Sequence, residues 1–402
     1  MWSGQLVGPE ICRCRLVTSG PLLFRKYCGE TVTYCSTDSI IHLFKPPNAT
    51  PHDLLVSRAI PNARLIRAFA LTNTFVSPEQ DIHASFVGHA KHLLRAAEKR
   101  GWPHFQQVAM QAVDAALPAS SLSNFDVFVQ DVALRVTLVG LLDVDVDVAE
   151  LDPGDIQVVA ALITQLWALS KKPEPIPVHL LPSLNRHLRR LMTDKDTYPN
   201  PLDYVIPVWE TLWRVVATTI AHTHRDHILL ETFGDLHDHP TLSQFRLFKD
   251  QSHPSVEAVI SEAMRLHPPS KHIVRATFAK AFSSVLPSCF QRFVPDSSGY
   301  VLRECADIGT VLRSSIWGTD AGEFNPSRHH VSNFSEDQTS AMAFVFGYGR
   351  HRCVAASWAP MAAAIIVGAI MDRVQDGSDY QVVAGPQIGG REGWLGWSVA
   401  RR

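Results

Sequence analysis

Apolar residues along most of this chain recur at three- and four-residue spacing, the period of a helix with one buried face. The segments HASFVGHAKHLLRAAEKR (83–100), QDVALRVTLVGLL (130–142), VVAALITQLWALS (158–170) and DYVIPVWETLWRVVATTIAHTH (203–224) all carry it. Proline-rich joints such as KKPEPIPVHLLP (171–182) separate them. The helical pattern predicts helices from about Pro51 to Pro269.

At the two ends the pattern changes. Up to Lys45, β-branched and aromatic runs alternate with Gly and Pro breaks, so RLVTS (15–19), LLFRKY (22–27) and ETVTYC (30–35) read as strands. From Lys271 to Phe346 the chain is irregular, with short strands such as KHIVRAT (271–277). A last helix is predicted from Cys353 to Val374. Its apolar stretch, Ala355 to Met371, contains Pro360 and small residues and reads as a buried helix. The Gly-rich tail YQVVAGPQIGGREGWLGWSV (380–399) reads as a β hairpin. The expected fold is mainly α with small β-sheets, a single α-rich domain over residues 1–402 without internal repeats.

Composition narrows the class. The chain has 402 residues, 46% of them hydrophobic, enough for a large core. A formal net charge of −2 and the lack of a polybasic block give no pull towards nucleic acid. The 26 prolines fall between helical stretches and mark turns. The seven cysteines are odd in number and irregularly spaced, which suits a reducing compartment. Cys12 and Cys14 lie close together, but no second pair follows at zinc-like spacing. The opening MWSGQLVGPEICRCRLVTSG carries Glu10, Arg13 and Arg15, and reads as neither a signal peptide nor an anchor.

The segment FVFGYGRHRCVAASWAPMAAAIIVG (344–368) carries the clearest chemistry. Gly347 and Gly349 permit positive φ and close backbone approach. If the helix starts at Cys353, its free N–H groups lower the thiol pKa and favour a thiolate ready for metal. Arg350, His351 and Arg352 add positive charge. Taken alone, the same residues equally describe a Gly-rich turn before a core helix with a buried cysteine.

FGYGRHRCVA resembles the haem-binding loop of the cytochrome P-450 family, with Phe346, Gly347, Gly349, His351, Cys353, Val354 and Ala355 at matching positions. The resemblance implies the cytochrome P-450 fold. It also implies haem b with an axial thiolate from Cys353, and contacts from Phe346, Gly347 and Gly349. Other marks follow in order. SEAMRLHPP puts Glu262 and Arg265 three apart on one helix face, which alone is an ordinary surface pair. With Arg328 in WGTDAGEFNPSRH, it resembles the family's buried three-member network behind the cysteine loop. Arg275 and His351 match partners of the haem propionates. The third partner usually lies in a Trp-x-x-x-Arg pattern. VGHAK supplies only Val87 and Lys91 there, with His92 an equal rival to Lys91. In the central helix, Glu210 and Thr211 match the acid–alcohol pair that relays protons in oxygen activation. Pro207 and Val208 replace the usual small residues, and Trp209 and Trp213 flank the pair.

The resemblance spans about residues 205–400 and is nearest to fungal members that tailor secondary metabolites. It implies a monooxygenase that takes O2, a small hydrophobic organic substrate and electrons from an NADPH–cytochrome P-450 reductase. Arg350 and Arg352 are candidates for the docking face, and a monomer is expected. An isomerase, dehydratase or peroxygenase on the same fold, or a degenerate haem-binding protein, is the alternative. Three departures stand out. The usual N-terminal anchor is missing, so a cytoplasmic or peripheral endoplasmic-reticulum location is expected. The passage DIGTVLRSSIWGTD (307–320) is short, as if a sheet beside the haem pocket were clipped. Pro207–Val208 alters the central helix.

Overall fold

The computed structural model describes residues 31–118, 122–250, 252–279, 300–330, 334–375 and 377–402. The strands expected at 15–19 and 22–27 lie outside these residues. Strand β1 (Thr31–Tyr34) falls within the third expected strand. Helices α1 (Thr37–Phe44), α2 (Pro51–Phe69), α3 (Gln80–Arg100) and α4 (Trp102–Ala116) follow. Strand β2 (Leu122–Asn124) leads into α5 (Phe125–Arg135), which runs on as a π-helical stretch, Val136–Leu141. Next come α6 (Pro153–Ser170), α7 (Leu180–Leu191), α8 (Leu202–Thr223), α9 (His227–Asp238), α10 (Leu242–Phe245) and α11 (Val256–Leu266). The last part holds β3 (His272–Ala279), β4 (Tyr300–Asp307), α12 (Ile308–Val311), α13 (Glu336–Ala343), α14 (Ala359–Val374), β5 (Tyr380–Val383) and β6 (Ser398–Arg401).

Local chemistry fixes the ends. Thr50 and Asp53 form a reciprocal cap on α2, with Pro51 in its first turn, where a missing N–H costs nothing. Ser255 caps α11 by accepting from Ala258 N–H, and Pro268–Pro269 forbid its continuation.

Two small sheets form. β4 runs parallel to β1 and antiparallel to β3. Its pairing with β3 is continuous from His272 opposite Asp307 to Ala279 opposite Tyr300. The short passage 307–320 therefore leaves the sheet intact, folding into α12 and a 3-10 turn at Ser315–Trp317. In the second sheet β6 lies between β5 and β2. The predicted tail hairpin is present, and β2 extends it.

The larger core gathers Phe125 and Phe128 of α5, Trp209 and Trp213 of α8 and the whole Met361–Met371 run of α14. A smaller core of Ile40, Phe44, Leu312, Trp317 and Phe344 packs with Ala306 of β4. Val345 packs against both, so the glycine–cysteine loop begins where the two cores meet.

Candidate functional site

The cysteine loop is built by its glycines. Gly347 and Gly349 have φ of 75° and 71°, left-handed values that favour glycine. A Cβ on Gly349 would press on Lys45 Cγ at 3.1 Å. Cys353 N–H then donates to Phe346 O at 2.8 Å and closes the loop. One expectation fails here. Turns occupy 354–358, and α14 starts at Ala359 rather than Cys353. The thiol thus lies beyond the last-turn reach of the helix dipole. Cys353 is exposed, and desolvation by the protein around it raises the thiol, against the opposing N–H of Ala355 and charge of Arg352. The loop positions the sulfur, and a bound metal would favour its ionised form.

Two arginines and two histidines meet near this loop among the described residues. Arg275 of β3 is half-buried, and desolvation lowers it to about 10. Its contacts are Val274 O at 3.3 Å and the face of Phe44. Arg58 of α2 is 7% exposed and is likewise lowered to about 10, by burial and then by the charge of Arg275. Arg58 donates to Thr74 O at 2.6 Å and to the Thr74 hydroxyl, while its Nε is buried without a partner among the described residues. His83 of α3 bonds Thr74 Oγ1 at 2.7 Å, and its ring lies 5.2 Å from that of His351. Burial, then Arg58, Arg275, His83 and Arg350, depress His351 to about 3. No carboxylate pairs with any of the four among the described residues. A group carrying two carboxylates fits this set, because it supplies the counter-charges that the protein withholds. Arg275 and His351, both expected at the propionates, lie in this cluster. Lys91 and His92 do not: both are exposed on α3. Arg58 and His83 stand in the cluster instead. The sequence carries one hint of Arg58, which falls at helical spacing among the buried Leu54, Leu55 and Ala59.

The expected acid–arginine network forms. Glu262 accepts from Arg265 Nε at 2.7 Å and Nη2 at 2.8 Å, and from Arg328 Nε at 2.9 Å. Two further partners were not foreseen: His329 Nε2 at 2.8 Å and Asn325 N–H at 2.9 Å. Arg265 also donates to Leu312 O and Ala321 O, both at 2.7 Å, and Arg328 to Trp317 O at 3.0 Å. Leu312 and Trp317 share the smaller core with Phe344. The network thereby braces the floor from which the cysteine loop rises.

Helix α8 accommodates Pro207 without a stranded carbonyl. Pro207 cannot donate to Asp203 O, and Asn73 Nδ2 donates there instead at 2.8 Å. The Asp203 carboxylate takes Thr72 N–H at 2.9 Å and the Thr72 hydroxyl at 2.5 Å. Trp209 and Trp213 both belong to the core, Trp209 donating to Gln130 O at 3.0 Å. Glu210 and Thr211 part company. The Thr211 hydroxyl bonds back to Val208 O at 3.2 Å. Glu210 is buried and receives Arg391 Nε at 2.6 Å on Oε1, which Arg391 Nη2 also contacts. Arg214 stands 3.5 Å from the same oxygen. The carboxylate expected in a relay is therefore held as a counter-ion. Arg350 and Arg352 are exposed.

Known proteins give a consistent fold and a partial sequence likeness. No family model matches the chain. Cytokinin hydroxylase of Arabidopsis thaliana is 27% identical over 121 residues, 30% of this chain and 21% of that protein. The 11-oxo-beta-amyrin 30-oxidase of Glycyrrhiza uralensis is 30% identical over 118 residues, 29% of this chain and 20% of that protein. The chain thus spans about a fifth of the length of these curated relatives. Both are plant proteins. Among solved structures, a cytochrome P450DA mutant heme domain aligns with a TM-score of 0.61 at 15% identity, covering 92% of this chain and 87% of that one. CYP175A1 from Thermus thermophilus aligns at 0.60 and 11% identity, covering 92% and 89%. P450 OxyD, involved in the biosynthesis of vancomycin-type antibiotics, aligns at 0.54 and 17%, covering 94% and 90%. The chain has the cytochrome P450 fold.

Proposed function

We propose that this chain is a haem-thiolate monooxygenase acting as one catalytic unit, with Cys353 as the axial ligand of haem b. The observation that carries the reading is a pair of arginines without carboxylates, Arg58 and Arg275, with His83 and His351 beside them, next to a glycine-shaped cysteine loop. In this reading Arg58, Arg275 and the two histidines hold the propionates, and Phe346, Gly347 and Gly349 shape the thiolate side. Bound haem would supply the oxygen chemistry, with Cys353 as the thiolate that holds it. Thr211 is the alcohol that holds protons on α8. Glu210 sets the charge behind it and moves a proton only when Arg391 and Arg214 release it.

NADPH-derived electrons arrive through a reductase docked at the exposed Arg350 and Arg352. The substrate is a small organic molecule. Two of the similar proteins are named as a hydroxylase and an oxidase, which supports oxygen insertion. The resemblance of 207–216 and 262–276 to fungal members supports a role in secondary-metabolite tailoring. The ion-paired state of Glu210 also favours a second reading, a peroxide-using enzyme with no need of a proton relay.

A carbon monoxide difference spectrum of the reduced protein tests the proposal. The expected result is a red-shifted, thiolate-type Soret band that vanishes in Cys353→Ala. Absence of haem from the wild type overturns the reading. Turnover with peroxide alone, and none with NADPH and reductase, selects the second.

A further inference from the structure

Helices α5 and α6 border a cavity of about 470 Å3, closed on a third side by residues 391–393 in the turn between β5 and β6. On α6 the wall is small, with Ala160, Ala161 and Thr164 at helical spacing. On α5 it is formed by Asp126, Val127, Gln130 and Asp131. Phe125 N–H donates to Trp397 O at 3.2 Å, and the Phe125 ring lies 5.3 Å from that of Trp394. The first turn of α5, which carries Asp126, is thereby fastened to the turn that carries Glu392.

The charged lining is three acids, Asp126, Asp131 and Glu392, against Arg391. Two of the four are committed within the protein. Asp131 holds Arg135 Nε at 2.6 Å, and Arg391 Nε lies 2.6 Å from Glu210 Oε1 with its guanidinium 4.6 Å from the Trp167 ring. Asp126 and Glu392 have no ion pair among the described residues. Glu392 is exposed and Asp126 half-buried. Burial pushes the Asp126 carboxyl up, against the N–H groups of Val127 and of Asp126 itself, so a cation beside it is favoured. Two uncharged groups in the wall also lack partners among the described residues. Thr164 Oγ1 is buried without a hydrogen bond. Gln130 is 6% exposed, and its side-chain amide is unpartnered. Such groups cost free energy that a ligand's donors recover.

We propose that this cavity binds a small organic cation that carries its charge on N–H groups, of the amidinium or guanidinium kind. Asp126 and Glu392 accept the charged N–H groups, and a planar fork of donors matches the two oxygens of a carboxylate. Gln130 Oε1 and Thr164 Oγ1 accept the remaining donors. The ligand's hydrocarbon body lies over Ala160, Ala161 and Val127, an apolar side chain left 42% exposed. The two unpaired acids repel an anion of the same size. The volume falls within the range of small-ligand sites, about 300–1,000 Å3. No lining residue belongs to the Cys353 cluster, so the inference does not rest on the haem reading.

Titration calorimetry of the full chain with benzamidine and benzamide at neutral pH tests this. The two probes match in size and shape, and only benzamidine is a cation there. The expected result is saturable binding of benzamidine at least about tenfold tighter than benzamide. Asp126→Asn and Glu392→Gln each weaken benzamidine at least about threefold. Ala161→Leu fills the cavity from an exposed helical position and abolishes binding. Glu392→Gln and Ala161→Leu leave circular dichroism and melting unchanged, so their effects are read on folded protein. Equal affinity for the two probes overturns the proposal. So does benzamidine binding that survives Ala161→Leu or is indifferent to both carboxylate substitutions, or no binding of benzamidine up to about 10 mM.

Discussion

Replacing Glu262 with glutamine removes one negative charge and keeps the side-chain volume. In the wild type its two oxygens meet Arg265, Arg328, His329 and Asn325 N–H, all between 2.7 and 2.9 Å. Arg265 is 0% exposed and cannot retreat to water. Removing one partner of such a buried pair costs about 3–5 kcal/mol. A second route gives a similar figure. Burial pushes the Glu262 carboxyl up, but bonds from Arg265 and His329 and their charges outweigh it, lowering it from 4.5 to about 2. A difference of about 2.5, at about 1.4 kcal/mol each, is about 3.5 kcal/mol. Unfolding entropy of about 2.1 cal/mol/K per residue gives about 0.8 kcal/mol/K for 402 residues. A loss of 3–5 kcal/mol therefore lowers the melting midpoint by about 4–6 °C. The pH dependence follows from the sign. A depressed carboxyl contributes fully above about 4.5 and loses its contribution as pH falls towards about 2. Urea unfolding of wild type and Glu262→Gln at pH 7 and at pH 3 reads both effects. A gap below about 1 kcal/mol at pH 7, or one that fails to narrow at pH 3, refutes the reasoning.

Three further outcomes are expected. Asn73→Ala strands Asp203 O and destabilises by about 1–3 kcal/mol, and adding Pro207→Ala, which restores a donor, recovers part of the loss in urea unfolding. His222 and His267 share a 2.9 Å Nε2–Nε2 hydrogen bond, and burial is the main cause lowering them to about 4 and about 3. The folded chain then binds fewer protons than the unfolded one below about pH 6.5, so stability falls on acidification, and His222→Gln with His267→Gln flattens the urea-midpoint profile between pH 6.5 and 4. Arg58→Gln lowers the haem content of purified protein, read as pyridine haemochrome, and an unchanged content removes Arg58 from the propionate set.

What could be read from the sequence was local or short in reach. The helices followed from periodicity, the loop from Gly347, Gly349 and Cys353, and the Glu262–Arg265 pair from a three-residue spacing. The misses needed contacts made across the chain. Arg58 meets Arg275 from another element, and Arg391 reaches Glu210 across 181 positions. Arg58 leaves only its spacing among the apolar residues of α2, and Arg391 leaves no local pattern, because an isolated arginine reads the same whether solvated or enclosed. The start of α14 failed for a different reason. Residues 354–358 are apolar or small and suit a helix, yet the loop closed by Cys353 N–H and Phe346 O feeds them into turns. Lys91 was chosen by spacing within α3, whereas His83 of the same helix meets His351 because its face, not its distance from a motif, points to the loop.

These placements bear on how a cofactor would couple to folding. Arg58 is buried and Arg275 half-buried, and Arg275 adds to the lowering of Arg58, so the cations raise one another's free energy. Their neighbours offer carbonyls, a hydroxyl and aromatic faces, which solvate charge without neutralising it. A ligand with two carboxylates would relieve this repulsion, and a metal on Cys353 would displace the thiol proton. Both gains belong to the folded chain alone. Binding therefore stabilises the fold by mass action, as RT ln(1 + [L]/Kd). The Glu262 network acts in the other direction, holding the loop's floor through interactions made entirely within the protein. The chain divides its electrostatics accordingly: one network closed on itself for rigidity, and one left short of negative charge where a dianion fits.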